Sequence, residues 1–380
     1  MVEWKTLNDL CLKITDGSHF SPQSVEEGFY MPSVKDMTSK GFDYSSCKKI
    51  SEDDYLSLIK TGCKPKINDV LVAKDGSMLK YVFPVSKEEN IVVLSSIAIL
   101  TPKTDVIDSR YLSFYLLRSD VKEQTIREFS SKGGVPRIIL KNFKKIRIPI
   151  PSLSEQKRIV GILDTFTSAI DNLKEQIAQR RKQYEYYRDQ LLDLEGKEGV
   201  ERHILKDVCD VINGRAYSQP ELLSEGKYRV LRVGNFFSND SWYYSDLELE
   251  SKYYCVKGDL LYAWSASFGP HLWDEEKVIY HYHIWKMDCK EIVDKKFMYY
   301  WLQSEDMKKQ AFSNIHGATM AHLTKALMED LMVPIPSLLE QQRIVSILDT
   351  FEASIQNLEA QLKEREKQYE YYRNKLSTFE

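Results

Sequence analysis

The chain has 380 residues, 43% hydrophobic and 29% charged, a globular balance that excludes a disordered or fibrous protein and is too long for one compact core. Its 53 Lys/Arg against 56 Asp/Glu leave a net charge of −3, so any surface for a polyanion has to be local. No apolar run approaches the ~18 residues of a membrane span. The start Met1-Val2-Glu3-Trp4-Lys5 lacks a signal-peptide pattern, and the six cysteines contain no CxxC pair. A cytoplasmic protein without membrane contact, zinc site or disulfide framework is expected.

In chain order, residues 1–148 form a first domain. Residues 1–151 carry 23 Lys/Arg against 19 Asp/Glu, and the stretch 129–154 holds Lys132, Arg137, Lys141, Lys144, Lys145 and Arg147 with no acidic residue. Such a stretch suits phosphates, and equally a solvated loop and strand edge. Residues 149–195 follow, then a second domain over 196–333 and a last segment over 334–380. The second domain leans acidic, with 16 Lys/Arg against 20 Asp/Glu in 201–336.

The segments 149–195 and 334–380 are copies at an offset of 185, identical at 29 of 47 positions. The domains before them correspond only in fragments: Leu7-Asn-Asp-Leu-Cys11 with Leu205-Lys-Asp-Val-Cys209, Asp69–Ala73 with Asp259–Ala263, and YLSFYLLRSD from Tyr111 with FMYYWLQSED from Phe297. Each copy opens on Pro-Ile-Pro, expected to punctuate the boundary. Ser152 with Glu155, and Ser337 with Glu340, then have the spacing of a capping box at a helix start.

Beyond the cap, Ile159, Leu163, Phe166, Ile170, Leu173, Ile177, Tyr184, Tyr187 and Leu191 make an apolar stripe of period 3.5, repeated from Ile344 to Leu376. Each helix should be roughly 54 Å long at ~1.5 Å per residue, longer than a domain of perhaps ~35–40 Å. A short linker after the first helix then makes the helices antiparallel. The expected fold is therefore two α/β (α+β) globular domains joined by two long helices that form an antiparallel intramolecular coiled coil with a pseudo-two-fold repeat.

Several motifs together resemble the specificity subunits of type I restriction-modification enzymes. They are Thr15-Asp-Gly-Ser-His19, GDLLYAWSASFG from Gly258, HGATMAHLTKALMEDLMVPIPSLLEQQRIV from His316, and IPIPSLSEQKRIVGILD from Ile148. The resemblance implies two target-recognition domains, each reading one half of a bipartite site in double-stranded DNA. It also implies that the helix pair sets the spacer and docks two adenine-N6 methyltransferase subunits, with restriction/translocase subunits joining them. S-adenosylmethionine, ATP and magnesium would belong to those partners, and no cofactor or metal to this chain.

Base-reading side chains stand on loops held by a rigid scaffold. The first domain offers Ser18, His19, Lys74, Ser77, Lys132 and Arg137, with Gly133 and Gly134 where backbone could approach phosphate. The second offers Asn213, Arg215, Arg232, Asn235, Ser265, His316 and Thr319. His281 and His283 could suggest a metal, but their alternation before Ile284 and Trp285 reads as a strand. The apolar stripe does not explain why Lys182, Tyr186 and Arg188 recur as Lys367, Tyr371 and Arg373, so these six are expected to face a partner met twice.

There is no glycine-rich cofactor loop, no Asn/Asp-Pro-Pro-aromatic motif, no GxxxxGK[ST] loop and no paired-metal cluster, so a non-catalytic chain is expected. Two other readings stay open on sequence: a coiled-coil scaffold with protein-binding end domains, and an enzyme with an unrecognised site.

Overall fold

The computed structural model describes residues 2–131, 136–237, 239–265, 267–312 and 323–379. The chain divides into two compact units, Met1–Lys174 with Ala360–Glu380, and Glu175–Glu359.

The first unit starts with a strand, Glu3–Thr6, and a one-turn helix, Leu7–Leu10, whose first turn is closed by Thr6 and Asp9 bonding reciprocally. Its frame is a four-stranded antiparallel sheet in the order Cys11–Asp16, Ile97–Pro102, Val70–Ala73, Val82–Pro84. Alternate residues of a strand face opposite ways, so Val70 and Val72 enter one core while Leu71 and Ala73 enter another. That alternation explains why Val70–Ala73 reads as a continuous apolar run: both of its faces are covered.

The second unit repeats the frame. Its sheet runs Cys209–Asn213, Ile284–Cys289, Leu260–Ser265, Ser267–Leu272, again fully antiparallel, and again a one-turn helix, Leu205–Val208, precedes the first strand. The helices Ser109–Leu116 and Lys295–Trp301 correspond as well, each capped by an aspartate, Asp108 and Asp294. All three faint sequence matches thus fall on equivalent elements. The insertions differ. Between its first two sequential frame strands the first unit carries the pair Phe29–Tyr30 and Lys49–Ile50 with the helix Glu52–Lys60. The second unit builds a further sheet from Tyr243–Ser245, Tyr228–Leu231, Val278–Tyr280 and Tyr254–Cys255.

Pro-Ile-Pro does not exclude sheet pairing as expected. Pro149 lies in the strand Arg147–Ile150 opposite Trp4, and Pro334 in Met332–Ile335 opposite Arg202. Both ribbons have only two strands, so a residue lacking N–H is tolerated at their open edges. The long helices follow, Leu153–Leu192 and Leu338–Leu376. Ser152 Oγ accepts the Glu155 N–H and Ser337 Oγ the Glu340 N–H, each at 3.3 Å. The glutamates do not complete the box; each grips the next arginine with two bonds of 2.7 Å, to Arg158 and Arg343.

Within each unit the start of one long helix lies antiparallel to the end of the other. In the first unit Phe166 stacks on Tyr372 at 5.2 Å and Lys174 pairs with Glu366 at 3.1 Å. In the second, Phe351 stacks on Tyr187 at 5.4 Å and Glu359 pairs with Arg181. These are the same contacts shifted by the repeat. Ile159, Val160 and Leu163 enter the first domain's core together with Tyr369, Leu376 and Phe379. Ile344, Val345 and Leu348 enter the second with Tyr184, Leu192 and Leu194.

Candidate nucleic-acid interface

The candidate residues of the first domain gather where the strands Cys11–Asp16 and Val70–Ala73 end, at the same end of the sheet with the strand Ile97–Pro102 between them. Gly17 makes this corner possible: a Cβ there would stand 2.0 Å from the Val93 carbonyl oxygen, so only glycine lets the chain pass. Its N–H bonds the Ile97 carbonyl at 3.1 Å and that of Ser18 bonds Val93 at 2.8 Å. Gly214 plays the same part in the second domain, 2.3 Å from the His281 carbonyl oxygen by the same construction, with Arg215 N–H bonding the Tyr280 carbonyl.

Of the first group, His19 is exposed, its Nε2 3.3 Å from Asp16. Ser77 is half-buried in the turn after the strand, and Arg137 crosses to Asp75 in a backbone bridge, its side chain exposed. Two expectations need correction. Ser18 is buried, its hydroxyl closing a local turn on Phe20, and Lys74 is only 5% exposed. The lysine Nζ sits 3.1 Å from Asp16 and 3.6 Å from Asp75, a charge held inside rather than offered outward. Neither Asp16 nor Asp75 is among the site residues expected from the sequence, because the placing of Lys74 between two carboxylates only appears once the strands lie together. Lys132, Gly133 and Gly134 fall outside the described residues, as do His316 and Thr319 of the second domain.

In the second domain Asn213, Arg215 and Ser265 occupy the equivalent end of the sheet. Asn213 is exposed, and Arg232 spreads its guanidinium over the Tyr243 ring at 4.7 Å. Arg215 is bidentate to Glu221 at 2.7 and 3.1 Å and lies over Tyr217; that guanidinium and hydrogen bonds from Ser218 hold the Glu221 carboxyl down at about 2. Asn235 is corrected to a turn residue: its carbonyl accepts from Arg232 N–H and its amide donates to the Asn239 and Ser241 carbonyls. His281 and His283 are not in a strand. His281 bridges Arg215, and the strand begins only at Ile284, because the chain turns there, the Ile284 N–H bonding the His281 carbonyl at 3.0 Å. Burial, the neighbouring His283 and Arg232 lower the His281 imidazole to about 4, so it is neutral at pH 7. Trp264 donates to the Tyr282 carbonyl at 2.8 Å and packs against Tyr282, His283 and Trp285. This edge is aromatic where the other is ionic. Among the described residues no group of three or more His, Cys, Asp or Glu is placed to hold a metal, and no helix is long and apolar enough to cross a membrane.

The basic stretch also differs between the copies. Arg137, Lys141, Lys144, Lys145 and Arg147 are exposed, and none pairs with an acidic side chain among the described residues. At the equivalent place in the second domain Lys325 pairs with Glu329, and Lys206 with Asp330.

On the helices, Tyr186 is 61% and Tyr371 56% exposed, each edge-on to the next tyrosine, and Lys182 and Lys367 are exposed beside them. Arg188 and Arg373 do not share that face. Each lies over the tyrosine four residues before it, Tyr184 at 5.7 Å and Tyr369 at 5.2 Å, and Arg188 is buried. Their recurrence follows from packing within the chain.

The repeated frame with its two edge clusters matches the family described as "Type I restriction modification DNA specificity domain" twice, over residues 1–180 and 197–366. The chain belongs to that family. Among specificity-family relatives, a putative type I restriction enzyme specificity subunit of Haemophilus influenzae is 31% identical over 62% of this chain and 64% of its own length, so the match spans a little under two thirds of that relative. The MjaVIII specificity subunit of Methanocaldococcus jannaschii is 26% identical over 79% of this chain and 75% of its own. The EcoR124I/EcoR124II specificity subunit of Escherichia coli is 28% identical over 66% and 67%. In fold, the chain is similar to the S subunit of a type I restriction-modification system from M. genitalium, with a TM-score of 0.57 at 16% identity over 100% of this chain and 97% of that one. A chain from a structural study of type I complex assembly and conformational transition gives a TM-score of 0.64, also at 16% identity, over 99% and 97%. As a member of this family, the chain carries two copies of its domain on one duplicated frame.

Proposed function

We propose that this specificity subunit reads a bipartite site in duplex DNA, one half with each domain, for adenine-N6 methyltransferase subunits docked on the long helices. The observation that carries the reading is the duplicated sheet edge. Gly17 and Gly214 hold the same corner in both domains, yet the side chains displayed there have become unlike. Phosphate contacts position a protein on DNA while base contacts specify, and a fixed frame with unlike edges provides for two different half-sites. The unpaired cations from Arg137 to Arg147 supply phosphate contacts on the first domain. The chain itself does no chemistry in this reading; S-adenosylmethionine, ATP and magnesium act on the methyltransferase and restriction/translocase subunits, in the cytoplasm.

Selection from random-sequence duplexes by the chain, with and without its methyltransferase, tests this. Two short conserved blocks separated by an unread gap are expected. A single continuous block, no enrichment at all, or methyl transfer from labelled S-adenosylmethionine by the chain alone contradicts it.

A further inference from the structure

Each long helix buries one glutamine where it leaves its domain, and the two make the same three bonds. Gln156 is fully buried; its Oε1 accepts the Asp108 N–H at 2.8 Å, and its Nε2 donates to the carbonyls of Val106 at 3.0 Å and Pro151 at 2.9 Å. Gln341 is fully buried too. Its Oε1 accepts the Asp294 N–H at 2.7 Å, and its Nε2 donates to Ile292 at 3.0 Å and Pro336 at 2.9 Å. One amide thus spends its acceptor and both donors. It ties the loop before a domain helix to the turn that starts the long helix. The bonded loop is itself ordered, since Asp108 and Asp294 cap the helices Ser109–Leu116 and Lys295–Trp301.

We propose that Gln156 and Gln341 are positioning residues that fix how each recognition domain is oriented on the helix leaving it, and so the half-site spacing the protein accepts. This rests on the function proposed above. Cohesion is part of its role, because an apolar side chain of similar volume would leave the Asp108 N–H and the Val106 and Pro151 carbonyls without partners. What the amide adds is direction: three bonds to two segments converge on one group and oppose rotation about the Pro-Ile-Pro connection. The outer tethers, Arg110 with Asp164 and Lys296 with Asp349, are exposed ion pairs and contribute little by comparison. The glutamine also recurs unchanged although the loops it holds, Val106–Asp108 and Ile292–Asp294, belong to domains that have otherwise diverged.

The test uses the full chain co-expressed with its methyltransferase, acting on a plasmid library whose half-sites are separated by the natural spacer, one base pair fewer, or one more. Methylation is read by sequencing. Gln156→Leu and Gln341→Leu should each reduce discrimination between the natural and altered spacers by about 10-fold, since a shift of around 1 Å is enough to disturb positioning. The half-site sequences should not change. Val160→Ala thins the same core without touching these bonds; it should lower the melting temperature yet keep wild-type discrimination. Gln156→Glu, which keeps the acceptor and loses the donors, should behave as the leucine variant does if that one fails to accumulate. Wild-type discrimination in a Gln156 or Gln341 variant, or equal loss in Val160→Ala, overturns the proposal. A wild-type protein indifferent to spacer length would overturn the reading of function beneath it instead.

Discussion

The edges of the two domains differ in the kind of interaction they display, although one backbone frame presents both. The first places Lys74 between Asp16 and Asp75, with His19 outside, and carries a run of unpaired cations. The second packs Trp264, Tyr282 and a neutral His281 together, and pairs off Arg215, Lys206 and Lys325. The frame is constrained by packing on both faces, so it stays; the edge is constrained only by what it meets. Domains that keep one backbone frame while their sequences correspond only in fragments, beside helices identical at 29 of 47 positions, are what the proposed reading of two unlike half-sites and one repeated partner would leave.

The strongest test of the shared frame is at its glycines. Gly17→Ala and Gly214→Ala should each destabilise their own domain by about 3 kcal/mol or more, because the added carbon meets backbone that has no room to yield. Thermal unfolding that left either unaffected would remove the equivalence of the two corners. Next in size is Lys74→Ala, which leaves the Asp16 and Asp75 carboxylates facing each other with their cation gone and should cost about 2–4 kcal/mol. Arg137→Ala, at an exposed side chain, should cost little stability; equal melting of the two variants would contradict the separation of inner and outer cations. Lys144→Glu with Lys145→Glu should weaken DNA binding by roughly 10-fold and reduce the dependence of log K on log salt by about 1–2. Unchanged binding at low salt would remove the phosphate role of this stretch.

The smallest expected effect lies in the second unit, where Glu352 is held by the hydroxyls of Tyr184 and Tyr299. Burial raises its carboxyl above the ordinary glutamate value. The folded state therefore binds that proton more tightly than the unfolded chain does, and this group's contribution is favourable at low pH and lost as pH rises through the raised value. Glu352→Gln should modestly raise the melting temperature at pH 7 and leave it unchanged below pH 4. A fall at pH 7 would contradict the sign.

The helices were legible in the sequence because their stripe of period 3.5 runs for five turns of the heptad, from Ile159 to Leu191 and again from Ile344 to Leu376. The frame strands showed only as fragments such as Asp69–Ala73, since a strand buried on both faces has no alternation to betray it. Edge residues were legible by type but not by role. Lys74 and Asn235 have the chemistry of base readers, yet Lys74 is held by Asp16, which only folding brings near, together with Asp75, and Asn235 by the turn carbonyls of Asn239 and Ser241. Gln156 and Gln341 do not stand out in the sequence, because a glutamine after a glutamate in the first turn of a helix gives no sign of burial. Its identity in both copies was the available signal.

The central claim, that each domain reads its own half of the site independently, is tested most directly by replacing residues 1–148 with the corresponding domain of a related specificity subunit. The hybrid is co-expressed with its methyltransferase and the methylated sites are read genome-wide. One half-site should change to that of the donor, with the other half retained. Methylation in which both halves changed, or neither did, would contradict the account.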